Sequence, residues 1–147
     1  MLIIGLAGPQ FSGKSLVTQR IVERFGAWKF DSSWVRKEVE RRGLTPVRAS
    51  YNQVTSELRQ RYGETVVVDR MFTALPKPLP KIAIHDGLRW VKSVDVHRRV
   101  TPFRLIFMDS PVECRFARAK GISKNGRQPV ATMAEFMADE MLESEQE

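Results

Sequence analysis

The stretch GLAGPQFSGKSLV, residues 5–17, constrains this chain more than any other. Within it, Gly8-Pro9-Gln10-Phe11-Ser12-Gly13-Lys14-Ser15 fits the pattern G-x-x-x-x-G-K-[S/T] at every specified position. The apolar run MLIIGLAG before it reads as a buried parallel strand. After it, Val17, Ile21 and Phe25 fall on one helical stripe that Gly26 can stop. Strand, glycine-rich turn and helix in that order make a cradle for phosphate. The glycines let main-chain N–H groups converge on phosphate oxygens, and the helix start adds the positive end of its dipole. In such a cradle Lys14 reaches the β- and γ-phosphates of ATP, and the Ser15 hydroxyl ligates Mg²⁺. Gly8 through Ser15, with Leu16, are therefore the candidate nucleotide-binding residues.

The remainder of the chain alternates between strand-like and helix-like segments. AWKF (27–30) reads as a short second strand, and DSSWVRKEVERRG as a helix with Ser32 or Ser33 as N-cap. Tyr51, Val54, Leu58 and Tyr62 form one stripe of a further helix before Gly63. TVVVDRMF suits a strand or a helix, and the prolines of PKPLP (76–80) mark a loop. KIAIHDG reads as a third strand, LRWVKSVDVHRR as a helix and FRLIFMDSP as a fourth strand. PVECRFARAKG begins a helix, ISKNGRQPV is a polar loop, and TMAEFMADEMLESE a last acidic helix. This alternation predicts an α/β fold, a parallel sheet covered on both faces. The 147 residues fit a single domain, 1–147, with no repeat and no linker.

Charge separates along the chain. All 24 Lys and Arg lie at or before Arg127, where they exceed the carboxylates by 13, whereas residues 128–147 hold six carboxylates and no base. So basic a body attracts polyanions: nucleotides, coenzymes or nucleic acid. No apolar run approaches the roughly 20 residues of a membrane span, and the first residues lack the features of a secretory leader. Cys114 is the sole cysteine, which fits a reducing cytoplasm and excludes an internal disulfide. A cytoplasmic protein with no membrane association is expected.

A triphosphate cradle does not name the reaction. Hydrolytic ATPases often place a Glu directly after a strand-end Asp to orient water. The candidate strand-end aspartates, Asp69, Asp86 and Asp109, are followed by Arg70, Gly87 and Ser110. No Asn-Lys-x-Asp guanine-reading element is present, SKNG (123–126) included. Transfer to an organic acceptor is therefore favoured over hydrolysis.

GLAGPQFSGKS, SSWVRKEVERRGL, ELRQRYG, IHDGLRW and DSPVECRFARAKG occur in the order found in P-loop nucleoside monophosphate kinase-like proteins. Over most of residues 1–143 the chain resembles the archaeal-type group related to adenylate kinase and dephospho-CoA kinase. That resemblance implies the three-layer P-loop NTPase fold with a 2-3-1-4 strand core, an acceptor-binding helical region near 31–75 and a lid near 112–130. Such folds normally continue into a fifth strand and a last helix, so the expectation is either a minimal four-stranded core or a sheet completed by a partner or a second copy. Arg36 resembles the arginine that grips the acceptor phosphate. Asp86 and Arg89 match a strand-end D-G-x-x-R, Asp86 holding Mg²⁺ or poising the acceptor oxygen and Arg89 binding acceptor phosphate. Asp109 is a rival for the metal, but in the resembling proteins its position leads into the lid. Arg115, Arg118 and Arg127, with Lys124 assisting, resemble lid cations over the transferring phosphates. Ser33 stands where the family usually has Asp, and Ala138 where it usually has Arg.

The resulting expectation is an ATP- and Mg²⁺-dependent kinase acting on a nucleoside or deoxynucleoside monophosphate, with dephospho-CoA as the alternative acceptor. A nucleic-acid-associated ATPase and a non-catalytic nucleotide binder are the rival classes. Among the remaining residues, His85 reads as a packed strand-end residue without a visible partner, and His97 as solvent-facing. Trp34 and Trp90 read as core rather than base-stacking residues, and Cys114 has no companion for metal or redox chemistry.

Overall fold

A computed structural model describes residues 1–31, 33–88, 91–120 and 130–144. The elements follow in the order β1 (Leu2–Ala7), α1 (Lys14–Phe25), β2 (Trp28–Lys29), α2 (Ser33–Arg41), α3 (Arg48–Tyr62) and α4 (Val66–Thr73). Then come β3 (Ile82–Asp86), α5 (Val91–Val100), β4 (Phe103–Phe107), α6 (Val112–Ala119) and α7 (Met133–Ser144). The strands form one parallel sheet in the order β2-β3-β1-β4. This is the α/β architecture and the 2-3-1-4 order that the sequence leads one to expect.

β1 lies inside the sheet, which is why its sequence is an unbroken apolar run rather than an alternating one. Its register pairs Gly5 with His85 on one side and Leu105 on the other. Ile3, Ala83 and Phe103, in register with one another, face a core built with Phe30, Met71 and Leu88. A Cβ on Gly5 would sit 2.3 Å from Leu88 Cδ1, so glycine is required for that packing. Leu6, Ile84 and Asp86 point to the other face, where α1 packs on β3 and β2. Right-handed crossovers explain the division. The chain leaves β1 toward β2 through α1 and leaves β3 toward β4 through α5, in opposite directions along the sheet.

A second, smaller core joins α2, α3 and α4 through Val39, Val54, Leu58 and Val66. TVVVDRMF therefore resolves as a helix, with Val66 in this cluster and Met71 in the sheet cluster. Glu38 pairs with Arg41 and Arg42, and Arg42 reaches Glu57 on α3 at 2.5 Å. Asp31 accepts from the Ser33 N–H and hydroxyl at 2.7 and 2.8 Å, opening α2, and these bonds hold its carboxyl below the usual range. Ser32, the other expected cap, lies outside the described residues, as does the loop 121–129.

α1 differs in detail from the expected stripe. Thr18 is its buried residue, whereas Phe25 is 59 % exposed. Gly26 stops the helix in the left-handed region, donating to Val22 O at 2.9 Å. α7 begins with a reciprocal cap: Glu135 N–H donates to Thr132 Oγ1, and Glu135 Oε2 accepts from Ala131 and Thr132 N–H. At the sheet edge, Leu105, Ile106 and Phe107 of β4 are exposed. Among the described residues no helix is long and apolar enough to cross a membrane.

Candidate active site

Three strand ends meet at the glycine-rich loop. Gly87 and Leu88 N–H both donate to Leu6 O at 3.0 Å, and Met108 N–H donates to Ala7 O at 2.8 Å. The chain then turns at Gly8, with φ 131°, so close to β4's continuation that a Cβ would lie 1.9 Å from Met108 O. Only glycine fits there. Gly13, at φ 98°, sits at the N-cap of α1, and its carbonyl accepts from Leu16 and Val17.

Between them Phe11 takes φ 58°, the one non-glycine with positive φ among the described residues. Such a conformation costs of order 1–3 kcal/mol and persists only where its surroundings impose it. Lys14 closes the loop: its Nζ donates to Gly8 O at 2.8 Å, Pro9 O at 2.6 Å and Ser12 Oγ at 3.4 Å. Residues 8–15 are thus curled around an ammonium group, not extended. The first turn of α1 carries no carboxylate and no side-chain cap, so its dipole faces the loop uncompensated by the helix's own side chains.

Asp86 ends β3 on the α1 face, paired in register with Leu6. Its side chain is 13 % exposed and lies 3.7 Å from Lys29 Nζ. Ser15, in the first turn of α1, is exposed. Hydroxyl and carboxylate oxygens are the donors Mg²⁺ prefers, so Ser15 and Asp86 suit a hydrated ion carried in by phosphate. Among the described residues no cluster of three His, Cys, Asp or Glu offers a metal site of its own. Asp69 is exposed and accepts from Thr65 Oγ1, while Asp109 is exposed and accepts from Ser110 N–H.

The lid candidates part company. Arg118 lies at the loop, its Nη1 donating to Phe11 O at 2.8 Å and to Ser110 Oγ at 3.4 Å. Arg115 does not share that place. Its side chain is buried, pairs with Glu140 on α7, donates through Nε to Ser110 O at 2.9 Å and stacks over Phe136. In this structure Arg115, expected among the phosphate-facing cations, joins α6 to α7, which supplies the carboxylate that its guanidinium needs when buried. Arg36 is exposed and donates through Nε to Tyr51 Oη at 3.2 Å. Trp34 packs against the α2–α3–α4 core under Arg70, whose Cζ lies 4.9 Å from its ring. Arg89, Trp90, Lys124 and Arg127 lie outside the described residues.

A UPF0200 protein of Methanosarcina barkeri is 34 % identical to this chain over 130 residues, covering 86 % of the chain and 68 % of that protein. The chain belongs to the UPF0200 family. A UPF0200 protein of Methanothrix thermoacetophila is also 34 % identical, over 128 residues, with 86 % and 68 % covered. One of Hyperthermus butylicus is 30 % identical over 127 residues, with 86 % and 66 % covered. This UPF0200 chain thus spans about two thirds of the length of the relatives it matches. No protein-family model matches it. Among solved structures, a shikimate kinase from Bacteroides thetaiotaomicron superposes with a TM-score of 0.57 at 17 % identity, covering 99 % of this chain and 78 % of that one. The likeness is one of fold, the parallel 2-3-1-4 sheet with its covering helices.

The reading of the UPF0200 sequence misses a buried histidine pair on the α5 face. His97, expected in solvent, is fully buried, and its Nε2 lies 3.0 Å from His85 Nδ1. His97 Nδ1–H donates to Ser93 O at 2.6 Å, so Nε2 accepts from His85 Nδ1–H. Phe30 lies against both rings, and Phe72 and Phe103 against His97. Burial lowers both pKa values, that of His85 to about 3, with repulsion from His97 adding to it. The pair is neutral and structural. Its one signal in sequence is that the chain's two histidines sit on a strand and on the helix that follows it.

Proposed function

We propose that this chain is an ATP- and Mg²⁺-dependent phosphotransferase whose acceptor is a small nucleotide-type molecule, a nucleoside or deoxynucleoside monophosphate. The observation that carries the reading is the curl of residues 8–15 closed by Lys14, with Asp86 on the neighbouring strand end. Lys14 and the loop N–H groups would take the β- and γ-phosphates, which displace the Gly8 and Pro9 carbonyls from the ammonium. Ser15 and Asp86 would hold Mg²⁺, which screens phosphate charge when bound. Asp86 would also poise the acceptor oxygen. Arg118, already at the loop, would turn from the Phe11 carbonyl to the transferring phosphate. Arg36, with Arg89 and Arg127, would bind the acceptor's phosphate, for which a planar guanidinium fork is well shaped.

A phosphotransfer screen tests this, offering ATP–Mg²⁺ with nucleoside monophosphates and with dephospho-CoA. Transfer is expected to fall at least about 100-fold in Lys14→Ala, as for loss of a charged group that stabilises the transition state. Equal turnover in the two proteins rules the kinase reading out. Activity with dephospho-CoA alone moves the acceptor to a hydroxyl-bearing coenzyme. ATPase turnover that rises with nucleic acid and falls with salt supports the nucleic-acid ATPase instead.

A further inference from the structure

Phe11 stands out as the strained residue of the loop, and it reaches both C-terminal helices. Its carbonyl accepts from Arg118 of α6. Its ring lies 6.2 Å, centroid to centroid, from that of Phe136, a residue of α7 only 3 % exposed. Phe136 in turn meets Phe116 of α6 at 5.9 Å and lies beneath the Arg115 guanidinium, which Glu140 of α7 neutralises. One left-handed residue therefore presents main-chain oxygen to α6 and aromatic surface to α7. A right-handed turn at this position would re-aim both.

We propose that Phe11 is a positioning residue that docks the α6–α7 pair on the phosphate loop and transmits loop occupancy to it. It rests on the reading of residues 8–15 as a triphosphate site. A phosphate that draws Lys14 off the Gly8 and Pro9 carbonyls reshapes the residues on either side of Phe11. The ring and carbonyl of Phe11 then carry that change to Phe136 and Arg118. Arg118 is thereby delivered to, or withheld from, the phosphates according to whether they are present.

The test is hydrogen–deuterium exchange over residues 133–144 of the full chain, without nucleotide and at saturating ATP–Mg²⁺. Wild type is expected to respond to nucleotide by at least about fivefold in exchange rate, the size of an ordinary coupling between sites. Phe11→Gly keeps positive φ accessible and removes the ring. It should speed exchange of α7 in the nucleotide-free protein and abolish the response, and Phe11→Tyr should restore both. Phe136→Leu breaks the same contact from the other side and serves if the loop variant fails to fold. Unaltered nucleotide-free exchange in Phe11→Gly and Phe136→Leu overturns the docking role. An α7 that ignores ATP in a wild type shown to bind it overturns the transmission. Absence of ATP binding overturns the triphosphate reading, while the nucleotide-free comparison still decides docking by itself.

Discussion

Asp86 and His85 are consecutive residues of β3 whose side chains leave the sheet on opposite faces. Asp86 faces α1, keeps contact with solvent and stands beside the phosphate loop, with Lys29 as its near cation. His85 faces α5, is 8 % exposed and is held by His97 among aromatic rings. The period-two geometry of a strand turns one step along the chain into a change from an ion pair with Lys29 to a packed aromatic core. The strand end thus serves two purposes at once. One side chain is left polar and reachable, and its neighbour anchors the backbone that aims it.

The comparison breaks most readily at Asp86. Asp86→Asn keeps the shape and removes the charge. Steady-state kinetics should show transfer lowered at least about 100-fold if the carboxylate serves metal or acceptor, with the melting temperature nearly unmoved because its ion pair is half-exposed. A large loss of stability with turnover intact would reverse the roles assigned to the two residues.

The converse change is His97→Leu, which leaves the His85 Nδ1–H buried without its acceptor. Urea unfolding should register about 1–3 kcal/mol of destabilisation, and the double variant His85→Leu/His97→Leu should recover part of it. A single variant as stable as wild type would show that the pair is not what holds the strand end.

The most gradual effect is in pH. Both histidines have depressed pKa values in the folded chain, so the unfolded chain binds more protons below about 6.5, and stability falls as pH drops. With the His85 value at about 3, the loss between pH 6.5 and 5 is about 1.6 kcal/mol for that group alone, because the unfolded imidazole is already half protonated at the upper limit. Depressed carboxylates such as Asp31 lose their contribution only at lower pH. The double Leu variant should therefore flatten the curve in that window, and an unchanged slope would assign it elsewhere.

The phosphate loop was legible because its instructions are local. Gly8 and Gly13 answer to backbone conformation and close approach, which spacing alone can encode. The strand order followed from alternation of elements together with family resemblance. What escaped depends on partners distant in sequence. Arg115 on a basic helix looks like a free cation until Glu140 is brought beside it. His97 looks solvated until α5 lays it on His85. TVVVDRMF has the composition of a strand, and the two cores that its faces fill decide for a helix. Thr18 replaces the apolar stripe of α1 as the buried residue, and no periodicity argument favours a threonine there.

The position of β1 between β3 and β4 has a consequence for how the molecule is made. β1 finds its neighbours far along the chain, at Ile82–Asp86 and Phe103–Phe107, and even the Met1 carbonyl waits for the Thr101 hydroxyl. Ring closures of that span carry a large entropic debt before any contact repays it. On the ribosome the nascent loop at Gly8 has no walls until β4 emerges, so it acquires its shape long after its own residues are made.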